Sequence, residues 1–256
     1  MKKTSILLLL SIFISFSLIA QKAGFYQLKI YNLDTETQVQ KLDNYLKTAY
    51  LPALYRAGIS KVGVFKPISN PENTKLQIFV LMPLQSLEQF DNLPSVLKAD
   101  KTFLSDGKDY IQADYENPPY QRIESILLKA FKEMPETGVP NHTTPKSERV
   151  YELRNYQGAT EKYFQSKVHM FNEGGEVDLF KELGFQPIFF GSVISGPSMP
   201  NLMYLTTFAN EAAQAEHWSN FVKHPKWLGM KDLEQYKNTV SKIEKTLLRP
   251  CDYSDL

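Results

Sequence analysis

Cysteine is nearly absent from this chain. Cys251 is the only one, so no disulfide can form within the molecule and stability has to come from a packed core. The thiol is read as a small residue after the last strand. A nucleophile or an intermolecular bridge is the alternative reading, and no base stands beside it. Net charge is nearly absent as well, +1 from 29 basic and 28 acidic residues. Without Lys2 and Lys3, which lie in a segment expected to be removed, 27 minus 28 gives −1. So neutral a chain has no electrostatic footprint for nucleic acid and no polybasic patch for anionic lipid. There is no Gly-rich phosphate loop, no Gly-x-Ser-x-Gly elbow and no His-Glu-x-x-His pair. Nothing therefore argues for nucleotide, hydrolytic or metalloprotease chemistry. A full membrane span is missing too. The uncharged run Thr4 to Ala20, apolar from Ile6, falls short of the roughly 20 apolar residues a span needs. Behind Lys2 and Lys3 it reads as a signal peptide over residues 1–20, cleaved after Ala20 or Ala23. An uncleaved anchor is the alternative. The mature chain is expected in the periplasm or secreted, with no stable membrane anchor.

What is present is apolar and aromatic. A hydrophobic fraction of 43% and an aromatic fraction of 12% over 256 residues suit one or two domains with real cores. Two stretches organise them. Arg149-Val150-Tyr151-Glu152-Leu153-Arg154-Asn155-Tyr156 alternates as a half-buried strand should. Gly24-Phe25-Tyr26-Gln27-Leu28-Lys29-Ile30-Tyr31 is a weaker copy of it.

Each copy opens the same order of elements. In the first half Val39, Leu42, Leu46 and Ala49 recur at helical spacing. Pro52 kinks this helix or starts another, and Gly58 stops it. Strands are expected over Ile59 to Pro67 and Leu76 to Met82, with a turn at Ser69 to Asn73. A helix follows from Ser86 through Phe103, then a strand within Gln121 to Phe131. Residues 135–147 hold three prolines and Gly138 and read as a linker. In the second half Thr160 caps a helix carrying Tyr163, Phe164, Val168 and Phe171, which Gly174-Gly175 interrupts. Phe185 to Ser195 and Leu202 to Phe208 read as strands. Asn210 caps a helix with Trp218 and Phe221, Pro225 opens the next with Trp227, and Val240 to Arg249 holds the last strand.

The two halves, residues 21–134 and 148–256, align in places. Phe25 to Lys29 lies over Val150 to Arg154, Ala57-Gly58-Ile59 over Leu183-Gly184-Phe185, and Arg122-Ile123-Glu124 over Lys242-Ile243-Glu244. Strand-helix-strand written twice gives a four-stranded antiparallel sheet with two helices on one face. Two such sheets have open faces that want cover. The expected fold is therefore α+β, two tandem ferredoxin-like units forming an intramolecular α/β barrel.

Tyr151-Glu152-Leu153-Arg154-Asn155-Tyr156 resembles the opening strand of the NIPSNAP family. His217-Trp218-Ser219-Asn220-Phe221 through His224-Pro225-Lys226-Trp227 extends the resemblance, which covers Arg149 to Tyr253 well and Gly24 to Phe131 weakly. The resemblance implies the dimeric α/β-barrel superfamily, with its cofactor-free monooxygenases, haem-degrading enzymes and proteins of no known reaction. The family has no agreed catalytic residues to carry over. The first half lacks the matching tryptophans and histidines, so any pocket is expected in the second.

Several residues could do chemistry there. His169, beside the Val168 and Phe171 face, could act as a pocket base or be a partly exposed helix residue. His217 and His224 stand seven apart, about 10 Å along a helix, which is poor spacing for a metal; His224 before Pro225 reads more simply as a helix start. Trp218, Trp227, Tyr204, Phe189 and Phe190 could wall a planar ligand or be core. Arg154 could hold a carboxylate, or pair with Glu152 on the same strand face. Glu173, Glu176 and Asp178 flank the glycine pair as a pocket mouth or a solvated helix break.

Together these give an exported protein with no cofactor and no metal expected, binding a small planar or aromatic molecule through Tyr151, Arg154, His169, Tyr204, Trp218 and Trp227. One rival is a cofactor-free monooxygenase using His169 or His217 as base and Arg154 to steady an enolate. The other is a structural or partner-binding module. No nucleic acid partner is expected. Two halves in one chain can replace a dimer, so a monomeric pseudo-dimer or a homodimer is expected.

Overall fold

The computed structural model describes residues 24–68 and 75–256. The expected signal segment with its expected cleavage site and the expected turn at Ser69 to Asn73 lie outside the described residues. Among the described residues no helix is long and apolar enough to cross a membrane.

The first half runs β1 (Phe25–Leu33), α1 (Glu36–Tyr45), α2 (Leu51–Arg56), β2 (Gly63–Pro67), β3 (Leu76–Leu84), α3 (Leu87–Ala99), α4 (Lys101–Asp106), α5 (Lys108–Ile111) and β4 (Arg122–Ala130). The second runs β5 (Val150–Gln157), α6 (Glu161–Asn172), α7 (Glu176–Glu182), β6 (Gln186–Ser195), β7 (Asn201–Phe208), α8 (Glu211–Lys223), α9 (Pro225–Lys231) and β8 (Lys242–Pro250). The helices begin where side chains can cap them. Thr160 accepts from the Tyr163 amide, Asn210 from Ala213, and Ser86 from Gln89, each satisfying an amide that the first turn leaves unpaired. Pro52 does not break its helix. A π-helical turn over Leu46–Tyr50 joins α1 to α2. Several strand ends shift by one or two residues from the sequence reading, and two boundaries differ by more. Residues 59–62 are not strand, and β2 starts at Gly63. The helix expected through Phe103 breaks at Asp100, whose side chain caps α4 by accepting from the Phe103 amide.

The eight strands of the described residues form one closed antiparallel barrel in the order β1-β3-β2-β8-β5-β7-β6-β4, with β4 returning to β1. Each half supplies four neighbouring strands. The halves join at two seams, β2 with β8 (Phe65 to Pro250, Pro67 to Leu248) and β4 with β6 (Leu127 to Ser195, Ala130 to Gly191). Closure turns each half's edges into partners, removing edges that would otherwise template other chains.

Alternation along the strands divides the apolar residues between three cores. Tyr26, Leu28 and Ile30 of β1 and Tyr151 and Leu153 of β5 point into the barrel, beside Phe65, Phe189 and the last residue, Leu256. The opposite faces of the strands pack under helices. Tyr31, Val80 and Met82 meet α1 to α4 on the first half. Tyr156, Phe190 and Tyr204 meet Phe171, Phe180 and Phe221 on the second. The barrel interior is thus filled by one cluster of apolar side chains, with the other two clusters between sheet and helices.

Candidate functional site

On β5, Glu152, Arg154 and Tyr156 face the helix layer because Tyr151 and Leu153 face the barrel. Arg154 Nε donates to Glu152 at 2.6 Å and Arg154 NH1 to the Tyr156 hydroxyl at 3.0 Å. Tyr204, the cross-strand partner of Arg154, donates to the same hydroxyl at 2.9 Å. From α8, Gln214 Nε2 at 2.7 Å and Trp218 Nε1 at 2.6 Å complete the Glu152 carboxylate. The guanidinium carbon lies 3.5 Å from the centroid of the Trp218 ring. The side chain of Glu152 is 1% exposed and that of Arg154 12%. Burial works against the Arg154 charge, but Tyr204, Tyr156 and Glu152 outweigh it and hold the guanidinium above its ordinary range. Burial also keeps the Tyr204 phenol well above its ordinary value.

A second buried pair lies beside this network. Lys167 Nζ of α6 donates to Glu176 of α7 at 2.7 Å and stands over the rings of Phe171 and Trp227 at 4.7 and 5.4 Å. Desolvation raises the Glu176 carboxyl above its ordinary value, against the pull of Lys167. Gly175, the N-cap of α7 with φ +86°, turns the chain so that Glu176 points inward. This corrects the reading of Glu176 as a solvated or pocket-mouth residue, whereas Glu173 and Asp178 are exposed. Two acids and two bases make the layer electrically neutral, and each charge meets its opposite.

The structure therefore brings together Arg154, Tyr204, Trp218 and Trp227 of the expected set. It separates Tyr151, whose ring faces the barrel 4.8 Å from that of Phe65, and both histidines proposed as bases. His169 is exposed on α6, with Nδ1 2.8 Å from the Tyr236 hydroxyl. His217 Nδ1 donates to the Ala213 carbonyl at 2.7 Å, and its ring packs edge-on to Phe185 at 5.3 Å. His224 caps α9, accepting from the Lys226 amide at 3.3 Å. Phe189 lies in the barrel core and Phe190 under the helices. Among the described residues no group of three His, Cys, Asp or Glu is placed to hold a metal ion. The sequence reading missed Lys167, Gln214 and Tyr156, and it singled out Glu176 without its burial or its partner. A signal for two of them existed. Lys167 falls within the apolar stripe Phe164, Val168, Phe171 of α6, and Glu176 within the stripe Leu179, Phe180, Leu183 of α7, positions a charge occupies only when paired.

The described cavities lie elsewhere. One, of about 400 Å³, opens between α1 and α4–α5, with Gln40, Asn44 and Tyr45 on one wall and Asp106, Asp109 and Tyr110 on the other. The rings of Tyr45 and Tyr110 are parallel, 3.7 Å apart and 7° from coplanar, and Tyr50 stacks behind Tyr45 at 5.7 Å. The π-helical turn places Tyr50 where its hydroxyl accepts from Lys29 Nζ at 2.8 Å. Lys29 stands on β1 where Arg154 stands on β5. Burial raises the phenols of Tyr45, Tyr50 and Tyr110 above their ordinary value. A shallower cavity of about 600 Å³ lies at the β2–β8 seam, between Lys47, Lys66, Arg249 and Cys251.

Solved structures share the fold. A candidate monooxygenase from Lactobacillus acidophilus NCFM superposes with a TM-score of 0.57 at 12% identity, over 88% of this chain and 93% of that one. A candidate monooxygenase from Fusobacterium nucleatum subsp. nucleatum ATCC 25586 gives 0.55 at 9% identity, over 88% and 91%. Identities this low speak for the fold alone. No curated protein matches the chain. The family model that matches is NIPSNAP, over residues 151–255, the span that holds the Glu152–Arg154–Trp218 network. By that match, the second half of the chain is a NIPSNAP-family domain.

Proposed function

We propose that the protein binds a small planar aromatic molecule, that binding rather than turnover is its activity, and that the site is the cavity of the first half. The observation that carries this reading is the stack Tyr50–Tyr45–Tyr110, whose last two rings line a cavity of about 400 Å³. Ligand pockets span roughly 300–1,000 Å³. A ligand ring laid on Tyr110 would extend the stack, and each such contact is worth about 0.5–1.5 kcal/mol beyond its buried area. In the second half Arg154, Tyr204 and Trp218 are engaged with one another and with Glu152, so a ligand there would have to displace a protein partner. A monooxygenase-like mechanism would need a base, and His169 and His217 both hold protein partners outside the network. Export remains part of this proposal, on the strength of Lys2, Lys3 and the apolar run that follows them.

Thermal melting of the purified protein against haem, quinones, flavonoids and aromatic acids tests this reading. A ligand at a hundredfold over its Kd adds about 2.7 kcal/mol. The reading expects a shift that Tyr110→Ala abolishes and Trp218→Phe preserves. A shift abolished by Trp218→Phe and kept by Tyr110→Ala would move the site to the second half. No shift with any compound would leave the structural or partner-binding module.

A further inference from the structure

We infer that the ligand of the first-half cavity is a planar ring carrying a positive charge, an inference that rests on the binding proposed above. The cavity and its stacked rings make the site, and the charges around it choose among ring compounds. Its charged lining is Lys41, Asp106 and Asp109, two carboxylates against one ammonium, a net of −1. Among the described residues none of the three is held in an ion pair. By contrast, Asp43, also on α1 but facing away from this cavity, is held by Lys66 and by the Tyr253 hydroxyl, and Asp100 by Arg56.

The positions of the two acids sharpen the preference. Asp106 is the last residue of α4 and is exposed. Asp109 is in the first turn of α5, three residues further on, and lines the same wall. Lys108 between them is exposed and does not line the cavity. Lys41 is exposed on α1, with a flexible stem that lets its ammonium turn to water. The aromatic wall favours the same sign. Tyr45 is covered by Tyr50 and Tyr110, so it is the ring of Tyr110 that presents negative π density, which attracts a cation near a ring. Gln40 and Asn44 add amide carbonyls that can accept from an N–H of the ligand. An anionic ring would meet both carboxylates and the π face as repulsion.

The test uses three probes of one shape on the full-length protein: 2-naphthylmethylammonium, 2-naphthylmethanol and 2-naphthoate, titrated by isothermal calorimetry at low salt. The ammonium probe should bind about tenfold more tightly than the alcohol, as one cation–π contact plus a nearby carboxylate provides. The carboxylate probe should bind most weakly. Asp106→Asn and Asp109→Asn, both at exposed positions, should each weaken the ammonium probe severalfold and leave the alcohol unchanged. Equal binding of all three probes, or a preference for the carboxylate, would overturn the inference while leaving the aromatic site standing. No binding of any probe would remove both.

Discussion

Arg154 and Trp218 meet face to face over one acceptor. The guanidinium carbon is 3.5 Å from the indole centroid, and both side chains donate to Glu152 at 2.6 Å. The contact ties α8 to β5, and the carboxylate, with Gln214 as a third donor, is its centre. Removing the carboxylate leaves a guanidinium in a dry layer without its counter-charge. Glu152→Ala should cost about 3–5 kcal/mol in urea unfolding, and Glu152→Gln clearly less because it keeps an acceptor. A cost below about 1 kcal/mol for Glu152→Ala would mean the network carries little of the fold.

Lys167 and Glu176 call for a paired experiment. Lys167→Met or Glu176→Gln alone strands one charge at a site where both side chains are under 5% exposed, and each should cost about 3 kcal/mol or more. The double replacement Lys167→Met with Glu176→Leu should be far milder than the sum of its parts. Purely additive costs in a double-mutant cycle would show that the pair is not coupled.

Cys251 should be a slow thiol. Burial first, then the nearby Asp43 charge, raise its pKa from 9.0 to about 11. The thiolate is the reactive form, so iodoacetamide labelling of the native protein at pH 8 should lag well behind that of the urea-unfolded chain. The gap should close as pH approaches 11. Equal rates at pH 8 would contradict a buried, protonated thiol.

Stability should fall on the alkaline side. Burial raises the phenols of Tyr26 and Tyr31 from 10.0 to about 12, in the same sense as Cys251. Each folded pKa lies above its unfolded value, so each contribution is whole below the unfolded pKa and fades as pH climbs through the folded one. The window therefore opens near pH 9 with the thiol and widens above pH 10 with the phenols. A flat denaturation midpoint from pH 8.5 to 11 would refute it.

The linker should be intolerant at one glycine. The Gly138 amide donates to Ile188 at 2.9 Å, and a Cβ there would sit 2.0 Å from the Pro187 carbonyl oxygen. Gly138→Ala should cost about 2 kcal/mol or more, because a backbone atom cannot swing aside. Gly175→Ala, strained by its φ of +86° but with open space around the new atom, should cost about 1 kcal/mol. The reverse order in thermal melts would show that the linker yields easily.

Much of this architecture was legible because its causes are local. Alternation in Phe25–Tyr31 and Val150–Tyr156 places one side of each strand inward whatever the rest of the chain does. Caps at Thr160 and Asn210 and the stop before β2 are likewise short-range chemistry. Period two puts Arg154 and Glu152 on one strand face, so their pairing was one of two readings the sequence offered. The third member, Trp218, comes from a helix 64 residues later in the numbering, and no local rule brings it there.

The sequence by itself determined the order of elements, the faces of the strands and the need for two open sheets to cover each other. Tertiary structure alone decided which polar groups would be neutralised and which left open. Barrel closure and helix docking turned Glu152, Arg154, Lys167 and Glu176 into mutual partners, because a charge taken out of water must meet its opposite. The same packing left Tyr110, Asp106 and Asp109 around a cavity on the half where the sequence reading had not placed a pocket. Hydrophobic periodicity reports which side of a strand or helix is buried. Where space remains between elements depends on side chains far apart in the chain meeting or failing to meet.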